Sequence, residues 1–285
     1  MTSGTLKARL ARKFLNGRLG YYFDVAQPDF WDNHWRKSVD PKAFASSAQG
    51  KLVSYYENPF MRWLPRTGRI LEAGCGLGHH VIALRARGFD VVGIDVAEDA
   101  IRIAKDHRPD LPISVGDALH LDAPNGSYAA YISLGVIEHR EAGPEPFLRE
   151  AYRGLAAGGI AIFTVPWINV PRRWKARMDF YRARQERLHF YQYAFATEEI
   201  ALLLRQAGFT VQHIETFDPI KGLKDEIRIL ATIMNWPYIG WRIKAGLLAL
   251  FRAYPGLGQH FGHMILIVAR KPLPSDPVVP GSASA

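Results

Sequence analysis

The 285-residue sequence predicts an α/β protein whose mostly parallel sheet carries helices on both faces. Short apolar patterns typical of buried strands alternate with amphipathic helical patterns through the middle of the chain. A glycine-rich turn joins the first strand of this series to the helix that follows it. The content of 48% hydrophobic and 22% charged residues is typical of a folded globular protein, and no apolar run is long enough to span a bilayer.

The first βα unit lies within the stretch 68–80. Residues 70–73 predict a short buried strand, and a helical pattern begins after Gly78. Gly74, Gly76 and Gly78 alternate with larger residues in between, and glycine permits backbone geometry and close approach that a Cβ would block. A strand, a glycine-rich turn and a helix in this order are the first unit of a nucleotide-binding α/β fold.

The spacing of these glycines distinguishes two kinds of nucleotide site. A dinucleotide fingerprint, G-x-G-x-x-G, would place its third glycine where the chain has His79. This spacing disfavours a nicotinamide-dependent dehydrogenase. An acidic residue, Glu72, lies two positions before the first glycine. A tight βα turn that binds no ligand could carry the same glycines. The elements that follow therefore decide whether this turn belongs to a nucleotide-binding site.

The second strand of the series is predicted at 89–95 and ends in Asp95, 21 residues beyond Gly74. An acidic residue at this point of a nucleotide-binding fold accepts hydrogen bonds from the ribose hydroxyls. The alternative is that Asp95 caps the next helix, predicted at 98–107. Its combination with the glycine-rich turn favours the nucleoside-binding interpretation.

Two further elements are predicted before the glycine-rich turn, a basic arm or frayed helix over residues 1–20 and a helix within 41–64. The remaining elements follow Asp95 and its helix at regular intervals. In chain order they are a strand at 113–115 followed by Gly116, Asp117 and Ala118, a strand at 128–134 followed by Glu138 and His139, a helix at 144–156, a strand at 160–166, a helix at 198–207 with Thr197 as its N-cap, and strands at 209–215 and 263–270.

Across 68–166 the order and spacing of these landmarks resemble the class I S-adenosylmethionine (SAM) dependent methyltransferases, nearest to the ubiquinone-pathway and small-molecule O-methyltransferases. The resemblance implies a Rossmann-like, seven-stranded, mostly parallel sheet with an antiparallel last strand. It also implies that the final two strands form the antiparallel edge of this sheet.

The resemblance implies SAM as the cofactor and S-adenosylhomocysteine as its product. It assigns Glu72 and the glycine-rich turn to the methionine end of SAM, Asp95 to the ribose, and Asp117 with Ala118 to the adenine. The complete set of implied cofactor-binding residues is Glu72, Gly74, Cys75, Gly76, Gly78, Asp95, Val96, Asp117, Ala118 and Ser133.

Two histidines are candidates for the catalytic base. His139 follows the fourth strand, whose carboxyl end faces the transferred methyl in the family; its alternative role is a structural hydrogen bond at a helix entry. His34 is the second candidate. It shares one helical face with Trp31 and Trp35, at i, i+3 and i+4 spacing. This face either packs on the core or forms a lid over the site.

The domain organisation predicted from these patterns has three parts. Residues 1–66 form an N-terminal helical arm and lid, 67–271 the SAM-binding domain, and 272–285 a disordered tail rich in Pro, Ser and Ala. Two segments, 167–192 and 218–262, exceed what the α/β core requires. Since they precede or follow strands whose carboxyl ends bind ligands, they are predicted to cover the substrate.

Charge is concentrated in the same added segments. The chain has a net charge of +9, with +5 in residues 168–194 and +6 in residues 221–271. This excess suggests an anionic partner, although an unspecialised basic surface is the alternative. Within 236–252 an apolar helical face is interrupted by Lys244, which favours a cover over the acceptor pocket rather than a membrane anchor.

The expected function is methyl transfer from SAM to an oxygen of a small-molecule, lipid-linked or glycan-linked acceptor. Alternatives are N-methylation of a small molecule or RNA, and a non-catalytic SAM-binding protein associated with a membrane. Amino-group methyltransferases of nucleic acids commonly carry Asn/Asp-Pro-Pro-Tyr/Phe after the fourth strand, whereas residues 133–136 are Ser-Leu-Gly-Val. A nucleic-acid substrate is therefore disfavoured. The oligomeric state is unspecified.

The cysteines, the histidines and the N-terminal residues indicate what to expect for disulfides, metal binding and localisation. Cys75 is the only cysteine, which excludes intramolecular disulfides and cysteine-rich metal sites, and the histidine pairs lack metal-ligand spacing. No metal is predicted. The first 20 residues carry five cations but no apolar signal core, which predicts a cytoplasmic protein. Peripheral contact with the inner face of the membrane is left open.

Overall fold

The structure is a computed structural model. The predicted tail lies outside the described residues from 277 onward, as does the first part of the N-terminal arm. The residues that the structure describes are 10–24, 26, 29–182, 188–237 and 239–276.

The chain forms two sheets. The strands are β1 (Leu10–Leu15), β2 (Arg18–Phe23), β3 (Ile70–Ala73), β4 (Val91–Asp95), β5 (Ile113–Val115), β6 (Tyr128–Leu134), β7 (Leu155–Pro166), β8 (His189–Ala194), β9 (Thr210–Phe217) and β10 (Met264–Arg270). Seven of them form the main sheet in the order β5-β4-β3-β6-β7-β10-β9, and the other three form a small sheet in the order β1-β2-β8.

Helices cover both faces of the main sheet. They are α1 (Phe30–Lys37), α2 (Pro41–Ala48), α3 (Ser54–Trp63), α4 (His79–Ala86), α5 (Glu98–His107), α6 (Glu145–Gly154), α7 (Val170–Arg177), α8 (Thr197–Gln206), α9 (Pro219–Glu226), α10 (Arg228–Met234), α11 (Gly240–Ala253) and α12 (Pro255–Gln259). A 3-10 turn spans Ile137–His139.

The main sheet confirms the predicted Rossmann-like topology. Strands β3 to β7 run parallel, and β10 runs antiparallel to both of its neighbours, β7 and β9. The predicted antiparallel edge is also confirmed, because the final two strands lie together at one end of the sheet, with β9 outermost and β10 between β9 and β7. The apolar side chains from Ile265 to Ala269 are buried on both faces, and an edge position could not bury them.

The core consists of one apolar layer on each face of the main sheet. On one face, Phe60, Val81 and Ala100 bring α3, α4 and α5 against the strands. On the other, Leu148 and Leu204 do the same for α6 and α8. Because β3 to β6 are parallel neighbours, their carboxyl ends lie together at one edge of the sheet.

Residues 10–23 form a β-hairpin, so the predicted arm or frayed helix is wrong for this part of the chain. Asn16 and Gly17 both have positive φ, of 50° and 83°, as a two-residue hairpin turn with the twist of its strands requires. An Asn-Gly pair between two strand-like runs is the signal that predicts such a turn. Strand β2 then pairs with β8, which places the hairpin against the segment 189–194.

Two predicted helix boundaries differ from the structure. The helix within 41–64 is broken into α2 and α3 around Gly50, whose φ of 75° is left-handed. Thr197 is the first residue of α8 rather than its N-cap, which is Ala196. The Thr197 hydroxyl instead accepts a hydrogen bond from Trp167 Nε1 at 3.0 Å, so it ties α8 to the end of β7.

A buried ion network fastens the added segments to the hairpin. Glu226, at the end of α9, is fully buried and accepts hydrogen bonds from Arg172 Nε at 3.1 Å and Tyr181 Oη at 2.7 Å. Arg12 of β1 and Lys175 of α7 contact the same carboxylate at 2.6 and 3.0 Å. The four donors come from β1, from α7 and from the segment after α7, and Glu226 compensates the charge of Arg172, which is only 1% exposed.

Candidate functional site

A cavity of about 500 Å³ opens where the carboxyl ends of the parallel strands meet. Its size is typical of a small-molecule site. Its floor comes from residues at or after the ends of β3 to β6, and its other walls come from α1, α6, the end of β7, β8 and the start of β10. Of the residues predicted to act at the site, those in its wall are His34, Gly74, Asp95, Val96, Asp117, Ala118 and His139.

The glycine-rich turn is closely covered. Gly74, Gly76 and Gly78 have φ of 84°, 51° and 71°, in the left-handed region that favours glycine. A Cβ on Gly74 would overlap the Val136 side chain, and one on Gly76 would overlap the ring of Trp35. The turn therefore needs glycine both for its backbone conformation and for the close approach of its neighbours.

Asp95 joins the glycine-rich turn to the end of β4. Its Oδ2 accepts a hydrogen bond from Gly76 N at 2.7 Å and its Oδ1 accepts one from Ala97 N at 2.9 Å. Burial raises the pKa of the Asp95 carboxyl, whereas these backbone donors lower it in part. Ala97, not Asp95, is the N-cap of α5, so the carboxylate is not that helix's cap.

Asp117 and Ala118 follow β5 and line the cavity beside Asp95. Asp117 Oδ1 accepts a hydrogen bond from Leu119 N at 2.8 Å, and Oδ2 lies 3.2 Å from His120 Nδ1. These contacts hold the loop after β5 at the cavity wall. The Asp117 side chain is partly exposed and has acceptor capacity left for a ligand.

Five predicted cofactor-binding residues lie behind the wall, namely Glu72, Cys75, Gly76, Gly78 and Ser133. Glu72 Oε1 contacts His80 Nδ1 at 3.1 Å. Its Oε2 and the Ser133 hydroxyl are buried without a hydrogen-bond partner among the described residues. Burial raises the pKa of the Cys75 thiol well above its usual value, so the thiol is neutral.

The aromatic face of α1 closes the cavity. Trp31, His34 and Trp35 all line it, and Trp31 and Trp35 also pack against the apolar layer below. The Trp31 ring meets the His139 ring edge to face, with centroids 4.7 Å apart. The two roles weighed for this face, packing and covering, are therefore combined in one helix.

His139 faces the cavity as a neutral imidazole. Its Nδ1 lies 2.8 Å from the carbonyl oxygen of Tyr191, which can only accept, so Nδ1 carries the hydrogen and Nε2 holds the lone pair. Burial lowers the pKa of His139 to about 4, although the carbonyls of Tyr191 and Gly135 oppose this. His34, by contrast, is exposed at the rim, and its partial burial lowers its pKa.

Glu138 is a wall residue that the sequence reasoning did not select. It is 2% exposed, its Oε2 has no hydrogen-bond partner among the described residues, and its Oε1 lies 4.0 Å from His139 Nε2. Burial raises the pKa of the Glu138 carboxyl to about 8. Its position next to His139 was visible in the sequence, but nothing in the local pattern indicates that it is buried.

The two predicted cover segments differ in their contribution. From 167–192, Tyr191 and Gln192 of β8 line the cavity. Within the described part of 218–262, no residue lines it. Closure over the site therefore comes from α1 and β8 rather than from the helices after β9.

The described residues contain no group of three or more His, Cys, Asp or Glu side chains arranged to hold a metal ion. Among the helices of the described chain, none combines the length and apolar character needed to cross a bilayer.

The fold and this cavity define a member of the class I SAM-dependent methyltransferases. The model of a family described as a methyltransferase domain matches residues 45–214. That match covers more than half of the chain, so the chain belongs to this family. Its bounds include the glycine-rich turn, Asp95, Asp117 and His139.

Individual relatives are more distant. A probable S-adenosylmethionine-dependent methyltransferase of Mycolicibacterium smegmatis is 28% identical over 144 residues, which are 50% of this chain and 52% of that protein. The chain thus spans about half the length of this relative. An S-adenosyl-L-methionine-dependent Diels-Alderase of Talaromyces variabilis is 27% identical over 234 residues, 75% of this chain and 74% of the relative.

Among solved structures, the complex of the Haloferax volcanii Trm112 methyltransferase activator with a methyltransferase superposes with a TM-score of 0.56. The match has 19% sequence identity and covers 87% of this chain and 97% of the other. At this identity the likeness shows the fold.

The residues present fit a SAM nucleoside. Asp95 and Asp117 are carboxylates at the ends of adjacent strands, and both border the cavity. The glycine-rich turn before them has no side chain at Gly74 or Gly76, where a Cβ would collide with Val136 or Trp35. Asp95 would hold the ribose hydroxyls, and Asp117 with Ala118 the adenine.

Proposed function

We propose that this protein transfers a methyl group from SAM to an oxygen atom of a small-molecule or lipid-linked acceptor. The observation that carries the proposal is a single cavity that joins the nucleoside-binding residues after β3, β4 and β5 to the buried pair Glu138 and His139 after β6. A cofactor end and a proton-handling end in one cavity are what methylation of a hydroxyl requires.

When bound, SAM supplies an electrophilic sulfonium methyl, so the protein needs no covalent intermediate. The contribution of the chain is to hold the acceptor in line, exclude water and receive a proton. Holding two reactants in a productive geometry contributes on the order of 7–11 kcal/mol. The aromatic face of α1, with Trp31 and Trp35, and Tyr191 of β8 shield the cavity from water.

The proton of the acceptor passes to Glu138 in this proposal. The carboxylate of Glu138, with its pKa of about 8, is a stronger base than His139, with its pKa of about 4. A positioned base whose pKa lies near the working pH contributes roughly 10²–10⁴-fold. The neutral imidazole of His139, which the Tyr191 carbonyl holds in place, borders the acceptor in this proposal and leaves its hydroxyl hydrogen free to pass to Glu138. The role of His139 or His34 as the base itself stays a prediction.

The test is a panel of hydroxyl-bearing and amine-bearing small molecules, incubated with SAM and analysed by mass spectrometry. The expected result is an acceptor heavier by one methylene, with the methyl on oxygen, and an equal amount of S-adenosylhomocysteine. Glu138→Gln should retain S-adenosylhomocysteine binding by calorimetry while transfer falls. Transfer by the wild type should rise with pH up to about 8 as Glu138 ionises. Methylation of amines alone would replace oxygen by nitrogen in the proposal.

A second candidate function is a SAM-dependent cycloaddition without methyl transfer. The alignment with the Talaromyces variabilis Diels-Alderase extends over about three quarters of both chains, and Trp31, Trp35 and Tyr191 give the cavity an aromatic wall. The same assay separates the two functions. Cycloaddition would convert a polyene substrate to a product of unchanged mass without formation of S-adenosylhomocysteine.

A further inference from the structure

The three helices after α9 present an unusual surface to solvent. Ile229 is 71% exposed and Trp241 is 65% exposed. Eight of the 22 large apolar side chains that are exposed in the described chain lie within residues 229–257, whereas exposed apolar residues that need no explanation are scattered singly. We call this set the α10–α12 surface, and its large apolar members are Ile229, Trp236, Ile239, Trp241, Leu248, Leu250, Tyr254 and Leu257.

Helix α11 separates an inner face from an outer one. Gly240 and Phe251 are buried against the rest of the protein. Trp241, Leu248 and Arg252 are exposed and follow i, i+7 and i+11 spacing, so they form one stripe along a flank of the helix, about a quarter of a turn from the buried residues.

The charge of the α10–α12 surface has one sign. Residues 227–275 contain no Asp or Glu. Arg242, Lys244 and Arg252 of α11 are exposed, and within the described part of the chain none of them forms an ion pair with an acidic side chain. The Arg242 guanidinium lies over the Trp241 ring, 5.5 Å from its centroid. Lys244, which interrupts the apolar face of α11, is exposed and adds a third cation to this surface.

Tryptophan and leucine flanked by cations, without acidic residues, are suited to the boundary between water and an anionic bilayer. The indole ring lies at headgroup level, the aliphatic side chains enter the acyl region, and Arg or Lys pairs with lipid phosphate. A nucleic acid would satisfy the cations but leave the leucine and isoleucine side chains exposed to water. An anionic phospholipid surface satisfies both kinds of residue.

We propose that the α10–α12 surface binds the protein to anionic phospholipid membranes. This goes beyond the proposed methyl transfer and does not depend on it. Helix α12 ends at Gln259, and His263 and Met264 shortly beyond it line the cavity. In a membrane-bound protein, only the three residues 260–262 would therefore separate the membrane-binding helices from one wall of the cavity.

The experiment is sedimentation of the full chain with vesicles of phosphatidylcholine alone or mixed with phosphatidylglycerol. The wild type should sediment with the mixed vesicles, not with the neutral ones, and added salt should weaken binding. Arg242→Glu with Arg252→Glu should weaken it by about 25-fold or more, since each cation near an anionic membrane contributes about 1 kcal/mol, or fivefold. Trp241→Ala with Leu248→Ala should weaken it about tenfold or more.

The matched control changes charge equally at other exposed helical positions. Lys42→Glu with Lys105→Glu, on α2 and α5, should leave vesicle binding within about twofold, because α5 packs on β4 and β5 and α2 on α4, whereas α12 packs on β9 at the opposite end of the sheet. Circular dichroism and thermal midpoints confirm that each variant is folded. An equal loss in the control would overturn the proposal, as would a wild type that ignores anionic vesicles. The proposal would also fail if the protein formed a dimer in the absence of vesicles and Trp241→Ala converted that dimer to a monomer. The surface would then bind a second copy of the chain.

Discussion

At the scale of single residues, Asp95 is the side chain on which the assignment of the cofactor site depends most. Its carboxylate receives backbone donors from both the glycine-rich turn and the start of α5 and borders the cavity. Asp95→Asn keeps the size of the side chain but removes the negative charge to which two ribose hydroxyls would donate hydrogen bonds. We expect S-adenosylhomocysteine affinity to fall about 10–100-fold by calorimetry, because a hydrogen bond to a charged group contributes roughly 1.5–3 kcal/mol.

The matched control for this change is Asp106→Asn on α5, whose side chain is 65% exposed. It should leave affinity unchanged. An Asp95→Asn variant that is folded by circular dichroism and binds as tightly as the wild type would contradict the assignment of the ribose site.

Glu138 makes a separate prediction about stability against pH. Its pKa is about 8 in the folded protein and about 4.5 in the unfolded chain, so the folded state holds the proton more tightly. The contribution of Glu138 to the free energy of unfolding therefore decreases as pH rises from about 4.5 to 8, and it is at its lowest above pH 8. Glu138→Gln removes this dependence and should be more stable than the wild type by on the order of 3 kcal/mol at pH 7.

Urea denaturation at pH 5, 7 and 8.5 measures this difference, which should grow with pH. Glu141→Gln, at an exposed neighbour, serves as the control and should show no such growth. If Glu138→Gln and the wild type had parallel pH profiles, the Glu138 carboxyl would be ionised at neutral pH. The role of Glu138 as a base with a pKa near 8 would then fail.

At the scale of elements, the contact of α1 with the glycine-rich turn couples the lid to the cofactor site. A Cβ on Gly76 would overlap the Trp35 ring, so Gly76→Ala should displace α1 as well as strain a backbone with φ of 51°. We expect Gly76→Ala to destabilise the fold and weaken S-adenosylhomocysteine binding. Adding Trp35→Ala should recover part of the loss, while the backbone contribution of about 1 kcal/mol remains.

A double-mutant cycle measures this coupling through calorimetry and thermal unfolding. Interaction energies between residues in contact are commonly 0.5–3 kcal/mol, whereas independent sites add within about 0.5 kcal/mol. Strict additivity of Gly76→Ala and Trp35→Ala would show that α1 does not press on the turn in solution.

The element scale also shows where sequence patterns succeed. The bounds predicted for β3, β5, β6 and α5 coincide with those in the structure, because each lies between glycine, proline or polar residues that end it locally. The hairpin of β1 and β2 has an equally local signal in Asn16-Gly17. The many basic residues around this pair led instead to the prediction of an arm or frayed helix. The interior place of β10 has no local signal, because strand order depends on which apolar faces find partners.

At the scale of the whole molecule, Glu226 connects the N-terminal hairpin, α7 and α9. Burial by itself would raise the pKa of Glu226, but Arg12, Tyr181 and Arg172 together hold the pKa below its ordinary value of 4.5. Glu226→Gln would leave the buried Arg172 without its carboxylate. We expect the free energy of unfolding at pH 7 to fall by about 3–5 kcal/mol, the usual cost of breaking a buried ion pair on one side.

The sign of the pH dependence follows from the lowered pKa. The contribution of ionised Glu226 is complete above about pH 4.5 and is lost as pH falls through the lower folded pKa, so the wild type should lose stability in acid more steeply than Glu226→Gln. Urea denaturation from pH 7 to pH 3 measures both curves. Glu198→Gln, whose partner Arg173 lies 3.8 Å away at an exposed site, is the control and should cost about 0–1 kcal/mol.

The sequence by itself determined the order of the βα units, the glycine-rich turn and the positions of Asp95 and Asp117, because each depends on residues within one turn or one strand. Only the tertiary structure decided that α1 covers Gly76, that Glu138 is buried and that α11 lies away from the cavity. The hydrogen bond that sets the His139 tautomer joins residues 52 positions apart. Burial and pairing of this kind arise when distant segments exclude water together, and no local pattern encodes them.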